Sequence, residues 1–238
     1  MNETTSISPD PSSVPILRPP LVSFMSDKHL SLALPIVAYW LYSAFFHFLD
    51  MQTWSWLDRY RIHPPEEIAK RNRVSRWAVV RAVIIQQLGQ ILVGGIFLAF
   101  EPDETIPDHD LAVQKLRLPP WNLPNLATAE VMYWFLLPAL RQIIAVFLLD
   151  AWEYWIHRLM HVNKFLYRTL HSRHHRLYVP YAFGALYNHP LEGLILDTLG
   201  TAIAITVART TIRESMFFFC FATMKTGMSL ISRHTDNS

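Results

Sequence analysis

Apolar residues in this chain collect in long runs separated by charged stretches. The first, residues 30–49, is 20 residues long and carries no formal charge; polar Ser31, Ser43 and His47 are its main interruptions. As a helix it would be about 30 Å long, the thickness of a bilayer's hydrocarbon core. Pro35 near its start is tolerable in a membrane helix. A second run, residues 82–100, carries Gln86, Gln87 and Gln90, amides expected to face other helices instead of lipid. A third, residues 131–149, is interrupted by Pro138 and Arg141. The last apolar region is split. Residues 193–208 contain Asp197, the polar link Arg209-Thr210-Thr211-Ile212-Arg213 follows, and residues 216–224 are apolar again. Neither half is long enough to span comfortably, so a re-entrant or kinked hairpin is expected, with a buried amphipathic pair as the alternative. Residues 1–29, rich in Ser, Pro and Thr, lack the basic start of a signal peptide and read as a flexible leader. The expected fold class is all-α: a polytopic membrane helix bundle with about four membrane segments.

Composition agrees with this. Of 238 residues, 51% are hydrophobic and only 17% charged, against about 25% in soluble domains. Mean hydropathy is +0.17, which excludes intrinsic disorder. Aromatics reach 13%, with 8 Trp, a composition suited to bilayer interfaces. A single cysteine, Cys220, excludes an internal disulfide framework and Cys-rich zinc modules. The net charge of +2 excludes nucleic-acid binding through overall basicity. Charge placement is more informative than its sum. Arg59, Arg61, Lys70, Arg71, Arg73, Arg76 and Arg81 lie between the first two runs. Between the second and third, Glu101, Asp103, Glu104, Asp108 and Asp110 outweigh Lys115 and Arg117. By the positive-inside rule the first loop is cytosolic and the second lies across the membrane, with the leader. Residues after 149, including Arg158, Lys164, Arg168, Arg173 and Arg176, then return to the cytosol.

Five of the 11 histidines fall within nineteen residues: His157, His161, His171, His174 and His175. His157 and His161 are i and i+4, so one helix face presents both rings. His171-Ser172-Arg173-His174-His175 offers i, i+3 and i+4. Two such helices facing each other would gather five neutral imidazoles, with His189 a possible sixth. Imidazoles without nearby thiolate suit Zn, Cu, Fe or Ni, and the set exceeds what one zinc requires. Two ions sharing it is the economical reading, placed at the cytosolic end beside helices able to hold a lipid chain. A basic surface cluster with Arg173 and Arg176 is the bland alternative. Asp150, Glu153 and Glu192 lie near enough in sequence to orient the rings, or to pair with neighbouring arginines. A zincin motif is excluded, because Arg158, not Glu, follows His157. Walker, dinucleotide-binding and Gly-x-Ser-x-Gly motifs do not occur in the sequence.

The run from Asp150 through Trp152, Glu153, Tyr154 and Trp155 to His157 and His161 resembles the fatty acid hydroxylase (sterol desaturase) superfamily. So do His171-Ser172-Arg173-His174-His175 and Asn188-His189-Pro190-Leu191-Glu192-Gly193. Residues 176–187, Ala38-Tyr39-Trp40 and residues 57–63 are similar to its fungal sphinganine C4-hydroxylase branch, and the similarity runs from about residue 17 to 226. The resemblance implies an endoplasmic reticulum membrane enzyme with a non-haem di-iron centre on the cytosolic side. It would use O₂ and electrons from NAD(P)H, delivered by a cytochrome b5-type donor, to hydroxylate C4 of a sphingoid base or ceramide. It implies His157, His161, His171, His174 and His175 as ligands, with His189 as ligand or support. Three segments are expected: a leader (1–29), a hydroxylase-like membrane domain (30–226) and a divergent tail (227–238). The family carries a further histidine box where this chain runs through residues 227–238 with His234 alone. The expectation is therefore an impaired copy binding fewer than two irons; the other class of function is an inactive lipid-binding or hydroxylase-partner protein.

Overall fold

The structure is a computed structural model describing residues 17–52, 54–58, 67, 70–105 and 109–231. His63, His234, most of the leader and most of the 57–63 segment lie outside the described residues. The described chain is helical: α1 (Asp27–Asp50), α2 (Arg76–Phe100), α3 (His109–Arg117), α4 (Leu126–Val162), α5 (Lys164–Thr169), α6 (Pro190–Ala208) and α7 (Ile212–Ile231). Short wider-wound π segments lie inside α4 (Met132–Leu136) and α6 (Leu194–Leu199).

Short polar side chains set the helix starts by capturing backbone N–H groups that have no partner inside the helix. Ser26 Oγ accepts from His29 N at 3.4 Å before α1, and Ser75 Oγ from Ala78 N at 3.3 Å before α2. Asn125 Oδ1 accepts from Thr128 N at 2.8 Å before α4. Four helices, α1, α2, α4 and α6, are long and apolar enough to cross a membrane. Leu88 and Leu92 of α2 and Ile143 and Phe147 of α4 are exposed. Large apolar side chains exposed on membrane-length helices suit lipid, not water.

The long helices close a ring in the order α1–α2–α6–α4–α7 and back to α1. Small residues bring α4, α6 and α7 together: Ala145, Ala204 and Ala208 are buried with Leu149 and Phe218, as expected where helices associate in lipid through close backbone approach. At Gly200 a Cβ would stand 2.4 Å from Trp152 Cδ1, so this contact requires glycine. The three Gln residues of α2 face inward as expected. Gln86 and Gln87 are buried, Trp40 Nε1 donates to Gln87 Oε1 at 2.8 Å, and Gln86 Nε2 donates to Asp197 Oδ2 at 2.8 Å. Arg141, the charge within the third run, meets Glu214 at 3.1 Å, the neutralisation that an intramembrane charge requires.

The last apolar region forms the kinked hairpin, with one correction. Its first leg begins at Pro190, not at 193, and its 19 residues are long enough to cross. A capping box starts it early: His189 Nδ1 accepts from Leu191 N at 3.2 Å while Glu192 Oε2 accepts from His189 N at 3.4 Å. Arg209, at φ 54° and ψ 44°, ends α6 in the left-handed conformation and turns the chain into α7.

At each end of the bundle, polar and charged contacts tie separate segments together. At one end Arg73 N donates to Arg176 O at 3.0 Å, the Asn72 amide bonds both backbone groups of Val179, and Arg71 lies over the Tyr178 ring. At the other end Arg18 pairs with Glu104 at 3.2 Å, Lys28 with Asp103 at 2.8 Å and Arg213 with Asp27 at 2.8 Å.

Candidate metal centre

The last two turns of α4 bring His157 and His161 onto one face, with their Nε2 atoms 3.1 Å apart. Asn163 then breaks the helix in an extended conformation, and its Oδ1 accepts from Phe165 N and Leu166 N at the start of α5. This reversal carries the second histidine group back against the first. Residues His171–Arg176 form a 3-10 turn, not the α-helical turn implied by the i, i+3, i+4 reading. With three residues per turn, positions i and i+3 eclipse, and the His171 and His174 rings accordingly stack at 5.6 Å and 25°.

Four Nε2 atoms form a chain of close approaches. His157 meets His161 at 3.1 Å, His161 meets His171 at 3.0 Å, and His171 meets His175 at 3.1 Å. His174 completes the group through ring contacts with His157, His171 and His175. His171 is 0% exposed and Glu192 1%, and His171 Nδ1 lies 2.5 Å from Glu192 Oε1. The carboxylate offers only acceptors, so a neutral His171 carries its proton on Nδ1 and turns the Nε2 lone pair inward. Burial pushes the His174 imidazole below its usual range against the upward pull of Glu192. Burial, reinforced by neighbouring imidazoles, also lowers His175. Both are therefore held neutral, the metal-binding form.

This geometry fits a cation better than it fits hydrogen bonding. With His171 Nε2 unprotonated, neutral rings can place a proton in at most two of the three close N···N contacts. Two nitrogens each about 2.1 Å from one first-row metal ion, at an angle of roughly 90–109°, stand about 3.0–3.4 Å apart. The observed spacings fall in that range, and His157, His161 and His171 offer ligand atoms within 4.8 Å of one another. His161 and His175 are exposed, so the group is open on one side. Tyr167, which sequence spacing did not single out, covers part of it, with its ring about 6 Å from those of His161, His171 and His175.

The remaining sequence candidates are placed differently. His189 Nδ1 is engaged in the cap of α6, a role concealed by the expectation of a ligand. Asp150 pairs with Lys225 of α7. Glu153 lines a partly open cavity of about 560 Å³ among α1, α2, α4, α6 and α7. Leu32, Ile36, Ile91, Leu149 and Phe219 give its wall an apolar character, and it extends from Glu153 and Asp197 to Glu101 and Arg209 at the opposite end of the bundle. Asp197 was visible as a charge in an apolar run; its partnership with Gln86 became apparent only once α2 and α6 were packed.

A helical membrane bundle with a buried-carboxylate-supported histidine group at one end defines the class, and comparison with known proteins agrees. The fatty acid hydroxylase family profile matches residues 142–236. The sphingolipid C4-hydroxylase of Saccharomyces cerevisiae is 47% identical over 209 residues, covering 87% of this chain and 58% of that protein. Its Schizosaccharomyces pombe counterpart is 46% identical, covering 83% of this chain and 69% of that protein. Sphinganine C4-monooxygenase 1 of Arabidopsis thaliana is 43% identical, over 85% and 68%. The chain thus spans 58% to 69% of the length of these relatives. No solved structure matches it. The chain belongs to the fatty acid hydroxylase family.

Proposed function

We propose that this chain is the membrane-embedded core of a sphingolipid C4-hydroxylase. In this reading it converts sphinganine or its N-acyl derivative to the 4-hydroxylated, phytosphingosine-type product. The observation that carries the proposal is the Nε2 chain at 3.0–3.1 Å, with His157 one helical turn from Glu153 in the wall of a largely apolar cavity. His157, His161, His171 and His175 are the proposed iron ligands, with His174 and His189 as supporting members. Bound iron would supply the activation of O₂ needed to replace an unactivated C–H bond with C–OH. The balance requires two electrons and two protons, with the second oxygen leaving as water. A cytochrome b5-type carrier fed by NAD(P)H is the proposed electron source.

The protein's own contribution is placement. Glu192 fixes the tautomer and tilt of His171. The cavity aligns an alkyl chain and keeps water from its apolar part. The loop charges favour an endoplasmic reticulum orientation with the histidine end in the cytosol, because Lys and Arg concentrate there. The test is expression in a host lacking long-chain-base C4-hydroxylation. Lipid mass spectrometry and iron analysis of the purified chain are the two readouts. The proposal expects 4-hydroxylated base and bound iron, both lost in His171→Ala. An iron-free chain, or no product with a full electron supply, overturns it.

A further inference from the structure

Two carboxylates of different helices line the wall of one cavity. On α4, Glu153 precedes His157 by four residues, one turn (about 5.4 Å) farther into the membrane-length part of the helix. On α6, Asp197 follows Glu192 by five residues across the π segment, one π turn away. Trp152 Nε1 donates to Ile195 O at 2.9 Å, setting the two helices in register. Both carboxylates line the same cavity.

The surroundings are short of donors. Asp197 Oδ2 accepts from Gln86 Nε2 at 2.8 Å and Gln90 Nε2 at 3.5 Å, and Oδ1 has no donor among the described residues. Glu153 has neither a hydrogen-bond nor an ion-pair partner among them. Gln86, 1% exposed, turns its amide N–H to Asp197 and leaves Oε1 buried, with no partner among the described residues. Thr198 Oγ1, on the cavity wall, is also buried without one. Of the cations on adjacent elements, Lys225 forms its ion pair with Asp150 and reaches Glu153 only through longer-range attraction, and Arg209 lies at the far end of the cavity. Unsatisfied acceptors, and carboxylates without an ion-pair partner, are costly among apolar helices. They are consistent with a site whose ligand brings N–H and O–H donors and positive charge.

We infer that Glu153 and Asp197 form the headgroup subsite of this cavity. They bind the ammonium and hydroxyl groups of an unacylated long-chain 2-amino-1,3-diol in preference to its N-acyl derivative. The inference rests on the hydroxylase reading above and narrows its substrate. An ammonium offers three donors and a full charge, whereas the amide of an acylated base offers one donor and none. C4 lies two bonds beyond the amine-bearing carbon. Anchoring the amine one helical turn from His157 therefore determines which methylene faces the imidazoles. The two carboxylates are specificity-determining residues that act through substrate placement.

The test is equilibrium binding of labelled sphinganine and N-acetylsphinganine to the purified full chain in detergent, alongside product analysis in cells. The wild-type chain should prefer the free base by about tenfold or more. Glu153→Gln and Asp197→Asn should each weaken that preference, and the double variant should remove it, with iron content unchanged. In cells the variants should raise the KM for the free base more than they lower kcat. Equal or undetectable binding of the two lipids by the wild-type chain overturns the assignment, independently of how any variant folds. So does a preference that survives the double substitution. Either result can stand while C4-hydroxylated product is still made, leaving the functional reading intact. Loss of product with the binding preference intact overturns the functional reading alone.

Discussion

Replacing Glu192 with alanine attacks the histidine group from behind. The carboxylate is 1% exposed and holds Nδ1 of a His171 ring that is itself 0% exposed. Water cannot readily replace it, so the substitution leaves a buried N–H unpaired, at about 1–3 kcal/mol. The same change frees His171 to adopt the other tautomer, which would withdraw the lone pair at Nε2 from the site. Loss of a partner of this kind typically lowers metal affinity by about 10–100-fold. Glu192 also accepts from His189 N at 3.4 Å, so the start of α6 loosens as well, costing about 0.5–2 kcal/mol by analogy with other capping losses. Glu192→Gln keeps an acceptor of similar shape and should fall at the mild end of both ranges. The assay is chelator competition for Fe(II) or Zn(II) on purified wild type, Glu192→Gln and Glu192→Ala, with thermal melts of the same samples. The expected order of affinity and of melting temperature is wild type, then Gln, then Ala. A folded alanine variant that binds metal within twofold of wild type would refute the role assigned to this carboxylate.

Other substitutions probe the frame. A Cβ on Gly193 would stand 2.0 Å from Gln86 Nε2, so Gly193→Ala should displace the amide from Asp197 and destabilise the chain by about 1–3 kcal/mol; an unchanged melting temperature contradicts this. Arg141→Leu leaves the Glu214 carboxylate without its guanidinium. It should cost about 1–3 kcal/mol, less than a fully buried pair because Arg141 is partly exposed, and adding Glu214→Gln should recover part of the loss. A double-mutant cycle showing no coupling would rule out the pair as a contributor. In a Cys220→Ser background, single cysteines at Asp103 and Lys164 should label with impermeant reagents from opposite faces of a sealed membrane; labelling from the same face contradicts the topology.

Much of this protein was legible along the chain because its strongest signals are local. Lipid leaves no room for charge on a spanning face, so residues 30–49 and 82–100 announce α1 and α2 by composition alone. Helix geometry is equally local, and His157 and His161 share a face whatever surrounds them. The start of α6 was less legible. Residues 190–193 looked like part of a ligand motif, while their capping role depends on a backbone turn that spacing does not reveal. The 3-10 winding of His171–Arg176 was hidden for a similar reason, since i, i+3 and i+4 fit both windings until the rings are placed.

The order of charged and apolar segments by itself determined a helical membrane bundle with its imidazoles collected at one end, because bilayer thickness and helical pitch act over neighbouring residues. Tertiary structure decided which imidazoles meet, that Glu192 contacts His171 while Asp150 pairs with Lys225, and that Glu153 and Asp197 share one cavity. Those pairings depend on the reversal at Asn163 and on the packing of α4 against α6 through Trp152 and Gly200. They join residues distant in sequence, and their energies exist only after the helices have been brought together.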